Sequence, residues 1–67
     1  MNFKKGDFII HGDGDYQYWK IIDIVENNYV VEGFYVGHHE FGANPRFKKC
    51  VRSESVDKNY IVYKETE

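Results

Sequence analysis

Apolar residues in this chain come in short β-branched and aromatic runs, separated by clusters of Gly, Asp and Asn. Gly6-Asp7 turns into the first run, Phe8-Ile9-Ile10-His11, whose residue types favour β structure. In a strand, Phe8 and Ile10 share one face and Ile9 and His11 the other. Gly12-Asp13-Gly14-Asp15 is a loop, because Gly tolerates positive φ and Asp bonds to its own nearby backbone. Tyr16 to Glu26 reads as a long strand. Its even positions carry Tyr16, Tyr18, Lys20, Ile22 and Ile24, and its odd ones Gln17, Trp19, Ile21, Asp23 and Val25, so neither face is purely apolar. A bulge that switches the buried face gives this pattern, and so does a sheet covered in part on both sides. The β-branched run Ile21-Ile22-Asp23-Ile24-Val25 argues against a helix.

Asn27-Asn28 separates this strand from Tyr29-Val30-Val31-Glu32 and suits a two-residue hairpin turn. That register sets Val25 opposite Val30, Ile24 opposite Val31 and, less favourably, Asp23 opposite Glu32. Gly33-Phe34-Tyr35-Val36 continues the third strand. Gly37 to Ala43 is a loop, or a turn into a short strand at Glu40-Phe41. Asn44-Pro45 is a helix-start signal, with Asn as N-cap and Pro at the first helical position. Phe47, Cys50 and Val51 follow at i, i+3, i+4 spacing, which predicts a short helix burying that stripe. Ser53 to Asn59 is a polar connection, Tyr60-Ile61-Val62-Tyr63 a last strand, and Lys64 to Glu67 a frayed tail. The sum is a mostly β domain covering residues 1–67: four or five short strands and one short helix before the last strand. Short strands at this spacing suggest a small antiparallel barrel, whose closure removes exposed edges.

Composition sharpens this picture. At 67 residues the core is thin, and aromatics make up 18% of the chain. Each buried ring removes about 150–250 Å² from water, so rings give a small domain the most core area per residue. The single cysteine, Cys50, excludes an intramolecular disulfide and fits a reducing cytoplasm. In the apolar stripe it reads as a structural thiol. No apolar run follows Lys4-Lys5, so no secretory signal is expected, and no stretch approaches the ~20 residues of a membrane span. The chain's net charge is −2, but Arg46, Lys48, Lys49 and Arg52 carry +4 with no acid among them; subtracting that from −2 leaves −6 for the rest.

The stretch Phe3-Lys4-Lys5-Gly6-Asp7-Phe8-Ile9-Ile10, with Tyr18-Trp19-Lys20-Ile21-Ile22-Asp23-Ile24 and Tyr29-Val30-Val31, resembles the opening of SH3-like small barrels, a group that includes Tudor-like and KOW-like domains. It is also similar to small barrel proteins of phages and mobile elements of gut bacteria. The resemblance covers Phe3 to Val31, under half of the chain, and implies fold far more than function. The Gly37–Ala43 segment has no counterpart in it.

In a barrel of that kind, Tyr16, Tyr18, Trp19, Phe34 and Tyr35 form a ligand groove, with Asp13 and Asp15 as its polar rim. Rigid rings lose little entropy on binding, and polyproline segments dock on such grooves. Each ring also has a plainer reading as core. The expectation is therefore a non-enzymatic module that binds a protein or peptide, as an accessory protein of a phage or mobile element. Self-association through the same rings is a close variant. The alternative is a nucleic-acid contact module using Arg46, Lys48, Lys49 and Arg52, with Phe47 interleaved to stack a base; the acidic remainder weakens it. The possible metal ligands, His11, His38, His39, Glu40 and Cys50, lack the spacing of a zinc site. Asp13-Gly14-Asp15 starts like a calcium loop, but Ile24 stands where the bidentate Glu belongs. No nucleophile elbow, P-loop or dinucleotide fingerprint is present, so neither an enzyme nor a cofactor is expected.

Overall fold

The computed structural model describes residues 1–64. Five strands and one helix follow in chain order: β1 (Phe8–His11), β2 (Gln17–Val25), β3 (Asn28–Tyr35), β4 (Phe47–Arg52), α1 (Ser53–Asn59) and β5 (Tyr60–Val62). The strands form one antiparallel sheet in the order β4-β3-β2-β1-β5. The fold class is the expected one, mostly β with a single short helix before the last strand. The sheet is not closed into the expected barrel, and β4 and β5 remain its edges. Of the expected tail, residues 65–67 lie outside the described residues.

The long second strand has the predicted irregularity. Ile21 pairs with Val31 but Asp23 pairs with Val30, so Ile22 bulges out of the ladder. The bulge moves the core side from the odd positions Trp19 and Ile21 to the even Ile24, which faces the buried Tyr29. The hairpin turn sits one residue earlier than predicted. Val25 pairs with Asn28, leaving Glu26-Asn27 as the turn, with Glu26 at φ 58°. This register sets Asp23 against Val30 instead of Glu32. Glu32 then lies opposite Lys20 on one side and Lys48 on the other.

The predicted helix from Pro45 is a strand. Asn44 adopts φ 57°, which is not the extended conformation an N-cap needs, and Pro45 leads into β4. Two turns of helix would carry a nucleation cost and leave the outer side of β3 unpaired. As a strand, the same six residues pair along β3 from Asn28 to Gly33. The helix instead takes Ser53–Asn59, the segment read as a polar connection. It buries Val56 and Ser53, with Glu54 in its first turn and Lys58 in its last. Its last residue is tied to β1, since Gly12 N–H donates to the Asn59 carbonyl at 2.8 Å.

Both faces of the sheet are covered in part. On one side Phe3, Ile9, Trp19, Ile21, Tyr29, Val31 and Val56 form the main core beneath α1. The Tyr29 hydroxyl donates to Asp57 at 2.6 Å and accepts from the Phe3 N–H at 3.2 Å, locking the helix and the N-terminal segment onto the sheet. Burial, then the Asp57 hydrogen bond and charge, push the Tyr29 phenol above its ordinary range. On the other side the Gly37–Ala43 segment is a loop that folds back over the sheet. Phe41 packs on Phe8 (ring centroids 4.5 Å apart) and Tyr18 (5.1 Å), beside Phe34 and Tyr63. Gly42 N–H donates to the Tyr18 hydroxyl at 2.9 Å and ties the loop down.

Candidate functional site

The five rings proposed as one groove divide between the two faces. Tyr18 and Phe34 are register partners on the loop-covered face, stacked at 5.0 Å and only 3% and 2% exposed. They are core, and the expectation that they contact a partner is corrected. Trp19 points to the opposite side, where it is buried against Tyr60 in a stack at 4.6 Å. Tyr16 and Tyr35 are the two that reach water as a pair. Tyr16 is 70% exposed, yet its ring lies nearly parallel to that of the half-buried Tyr35, with centroids 5.9 Å apart.

The proposed acidic rim is also divided. The Asp15 carboxylate accepts from the N–H groups of Tyr16 (2.7 Å) and Gln17 (3.4 Å), so it shapes the entry to β2. Its charge, after burial, helps push the Tyr60 phenol upward. Asp13 is fully in solvent, 3.9 Å from His11, which meets Tyr60 edge-on at 5.3 Å.

Residues that the sequence pattern assigned elsewhere extend this pair into a strip of rings and cations, part exposed and part buried. Gly33 sits between Trp19 and Phe47 in register, and the Phe47 ring lies directly over it. Lys49 holds its ammonium 4.4 Å from the Trp19 ring centre and 5.4 Å from that of Phe47. Arg46 holds its guanidinium 5.5 Å from the Tyr35 ring, which His38 also approaches at 5.5 Å. The strip therefore runs Tyr60, Trp19, Lys49, Phe47, Arg46, Tyr35, Tyr16. Exposed cation–ring contacts of this kind stabilise by about 0.5–1 kcal/mol each. The sequence pattern places Phe47 in a buried helical stripe, or among the cations to stack a base, because its spacing with Cys50 and Val51 fits a helix as well as a strand.

The basic residues do not share a helix face. Arg46 precedes β4, and Lys48, Lys49 and Arg52 stand on it with alternating orientation. All four are exposed. Among the described residues, none has a carboxylate within 4.0 Å. Cys50, expected in a buried stripe, is exposed on the same strand. Among the described residues no group of three or more His, Cys, Asp and Glu side chains comes together, and no helix is long and apolar enough to cross a membrane. No family model matches the chain, and no curated protein or solved structure matches it.

Proposed function

We propose that the chain is a non-enzymatic module that binds another protein or a peptide along the strip from Tyr60 to Tyr16, with SH3-like kinship and a phage or mobile-element accessory role as its context. One observation carries the reading. Tyr16 is held in water by stacking on Tyr35, with Arg46 on the same ring. Tyr and Arg are residue types that supply much of the energy at protein interfaces: Tyr brings large contact area with only two rotors to freeze, and Arg a planar fork of hydrogen-bond donors that also stacks on rings. The proposed contact residues are Tyr16, Tyr35, Arg46, Phe47 and Lys49, with Trp19 and Tyr60 as their support. Exposed Cys50 fits the reducing cytoplasm as the working compartment.

The test is selection from a displayed peptide library on wild type and on a Tyr16→Ser/Tyr35→Ser double variant with an unchanged melting temperature. Tyr16 is exposed and Tyr35 half-buried, and neither belongs to the core, so the variant keeps its core. The expected result is a peptide consensus from wild type that the variant fails to retain. Equal retention by both proteins would refute the aromatic strip as the contact surface.

The second reading, a nucleic-acid contact module, draws on the four exposed cations of the β4 segment with Phe47 among them. It predicts affinity for oligothymidine that falls steeply with salt. Weak or salt-insensitive binding would remove it.

A further inference from the structure

We propose that the outer edge of β4 takes up an additional antiparallel strand, supplied by an extended segment of a partner protein in which acidic and apolar residues alternate. The proposal rests on the reading of the chain as a peptide-binding module and names the chemistry of the peptide.

The edge itself is the first observation. β3 occupies one side of β4, and among the described residues no strand occupies the other. Lys48, Lys49 and Cys50 are consecutive and so alternate between the two faces, yet all three are exposed. A strand with one side open gives this result. Six residues in extended form offer about 20 Å of unpaired backbone donors and acceptors, enough for a short strand to add by main-chain hydrogen bonds.

The second observation is the register. Lys20 of β2, Glu32 of β3 and Lys48 of β4 stand side by side across the sheet, so the charges run positive, negative, positive. The next strand in that row continues the alternation only with an acid. Opposite charges directly across strands stabilise and like charges destabilise. Arg52, two turns of the pleat's repeat further along the same face, asks for a second acid. On the other face β4 presents Phe47 and Val51, both half-buried, with Lys49 between them. That face suits apolar side chains. The required segment therefore alternates with period two, acids toward Lys48 and Arg52 and apolar residues toward Phe47 and Val51.

Charge also selects against other occupants. A second copy of β4 would bring Lys and Arg against Lys and Arg. A long polyanion would run off the edge onto a body that carries the remaining −6. A short acidic strand meets neither penalty. Cations on edge strands also serve simply to block unwanted pairing, and that role predicts no binding by the matched peptide.

The probe is a capped hexapeptide of alternating glutamate and valine, titrated into the ¹⁵N-labelled chain while amide shifts are followed. Its control holds the same residues in two blocks, three glutamates then three valines. The expected result is saturable shifts at β4, centred on Lys48 to Arg52, with the block peptide weaker by about tenfold or more. A Lys48→Glu/Arg52→Glu variant should lose the glutamate peptide and gain an alternating lysine–valine peptide. Both residues are exposed and outside the core, and because Lys48→Glu sets an acid opposite Glu32, an unchanged amide spectrum away from β3 and β4 is required of the variant.

Equal binding of the two glutamate peptides, no shifts at β4, or no charge-exchange rescue would each overturn the proposal. So would preferential binding of oligothymidine, or a dimer in sedimentation that the peptide cannot compete away. If the library selection depends on Tyr16 and Tyr35 while the alternating peptide leaves β4 unmoved, this edge proposal fails and the peptide-binding reading stands. If no peptide of either kind binds, the peptide-binding reading itself fails.

Discussion

Replacing Gly33 with alanine puts a methyl group where the Phe47 ring already lies. A Cβ at position 33 would stand 2.1 Å from Cζ, 2.3 Å from Cε1 and 2.5 Å from Cε2 of Phe47. Carbon atoms rest at about 3.5–4.0 Å, so the ring must leave by more than an ångström. Gly33 is not in the left-handed region, so alanine itself suits the backbone and the clash is with the ring alone. Full burial of a phenylalanine stabilises by about 1.5–3 kcal/mol, and Phe47 is half-buried, so its displacement forfeits about 1–2 kcal/mol. Removing a glycine from a strand returns about 0.5–1 kcal/mol. The net expectation is a loss of about 0–1.5 kcal/mol, read as a melting temperature lower by up to about ten degrees in a domain of this size, at about 4–8 °C per kcal/mol. A thermal melt by circular dichroism measures it, and a double-mutant cycle with Phe47→Ala isolates the cause. In the Phe47→Ala background, Gly33→Ala should be neutral or mildly stabilising. If Gly33→Ala costs the same with and without the Phe47 ring, the ring-over-glycine contact is not what holds position 33 to glycine.

Tyr29→Phe removes a hydroxyl that both donates to Asp57 and accepts from the buried Phe3 N–H, and should cost about 1–3 kcal/mol in a urea melt; a loss below about 0.5 kcal/mol would count against that lock. The same phenol makes stability depend on pH. Its folded pKa is raised above the ordinary 10.0, as is that of Tyr60, so folding favours both neutral forms. Their contribution is complete below pH 10 and is lost as pH rises through the higher folded values. Urea midpoints compared at about pH 9 and about pH 11 should therefore fall less steeply in Tyr29→Phe than in wild type, and parallel falls would contradict the linkage. Tyr18→Phe deletes the acceptor of the Gly42 N–H and should cost about 0.5–1.5 kcal/mol, felt first in the loop. Hydrogen exchange should speed up at the Gly42 amide, and unchanged protection there would show that the loop is held by ring packing alone.

The candidate site was only half legible in the chain. That some rings would stay in water could be read from their number, because so small a core cannot hide them all. Which rings stay wet could not, because both faces of β2 and β3 are covered in part. Tyr18 and Trp19 are neighbours in sequence and equally aromatic, and pleating alone sends them to opposite sides. Tyr18 is then roofed by Phe41, from a loop whose Gly37 to Ala43 sequence gives no sign of a packing role. Phe47 and Lys49 entered the strip only because β4 is a strand. The basic residues are neighbours in the sequence itself, but the sequence pattern places them on a helix, and their alternation across an open edge depends on that same strand.

By itself, the sequence determined the local choices. β-branched and aromatic runs made β1, β2 and β3, the Gly-Asp cluster made the loop between the first two, and the mixed pattern of β2 required a bulge or two covers. The tertiary structure decided where local signals were balanced or silent. Glu26-Asn27 became the turn because that register buries Ile24 against Tyr29 and keeps Asp23 away from Glu32. Phe47–Arg52 became a strand because β3 had a ladder of unpaired backbone to satisfy, a long-range demand that outweighed an Asn-Pro helix start. Ser53–Asn59 became the helix although Val56 is its one large apolar residue, because that segment had to cover the core while carrying the chain from one sheet edge to the other. In each case a backbone hydrogen bond or a core contact far away in sequence chose between states that neighbouring residues left nearly equal.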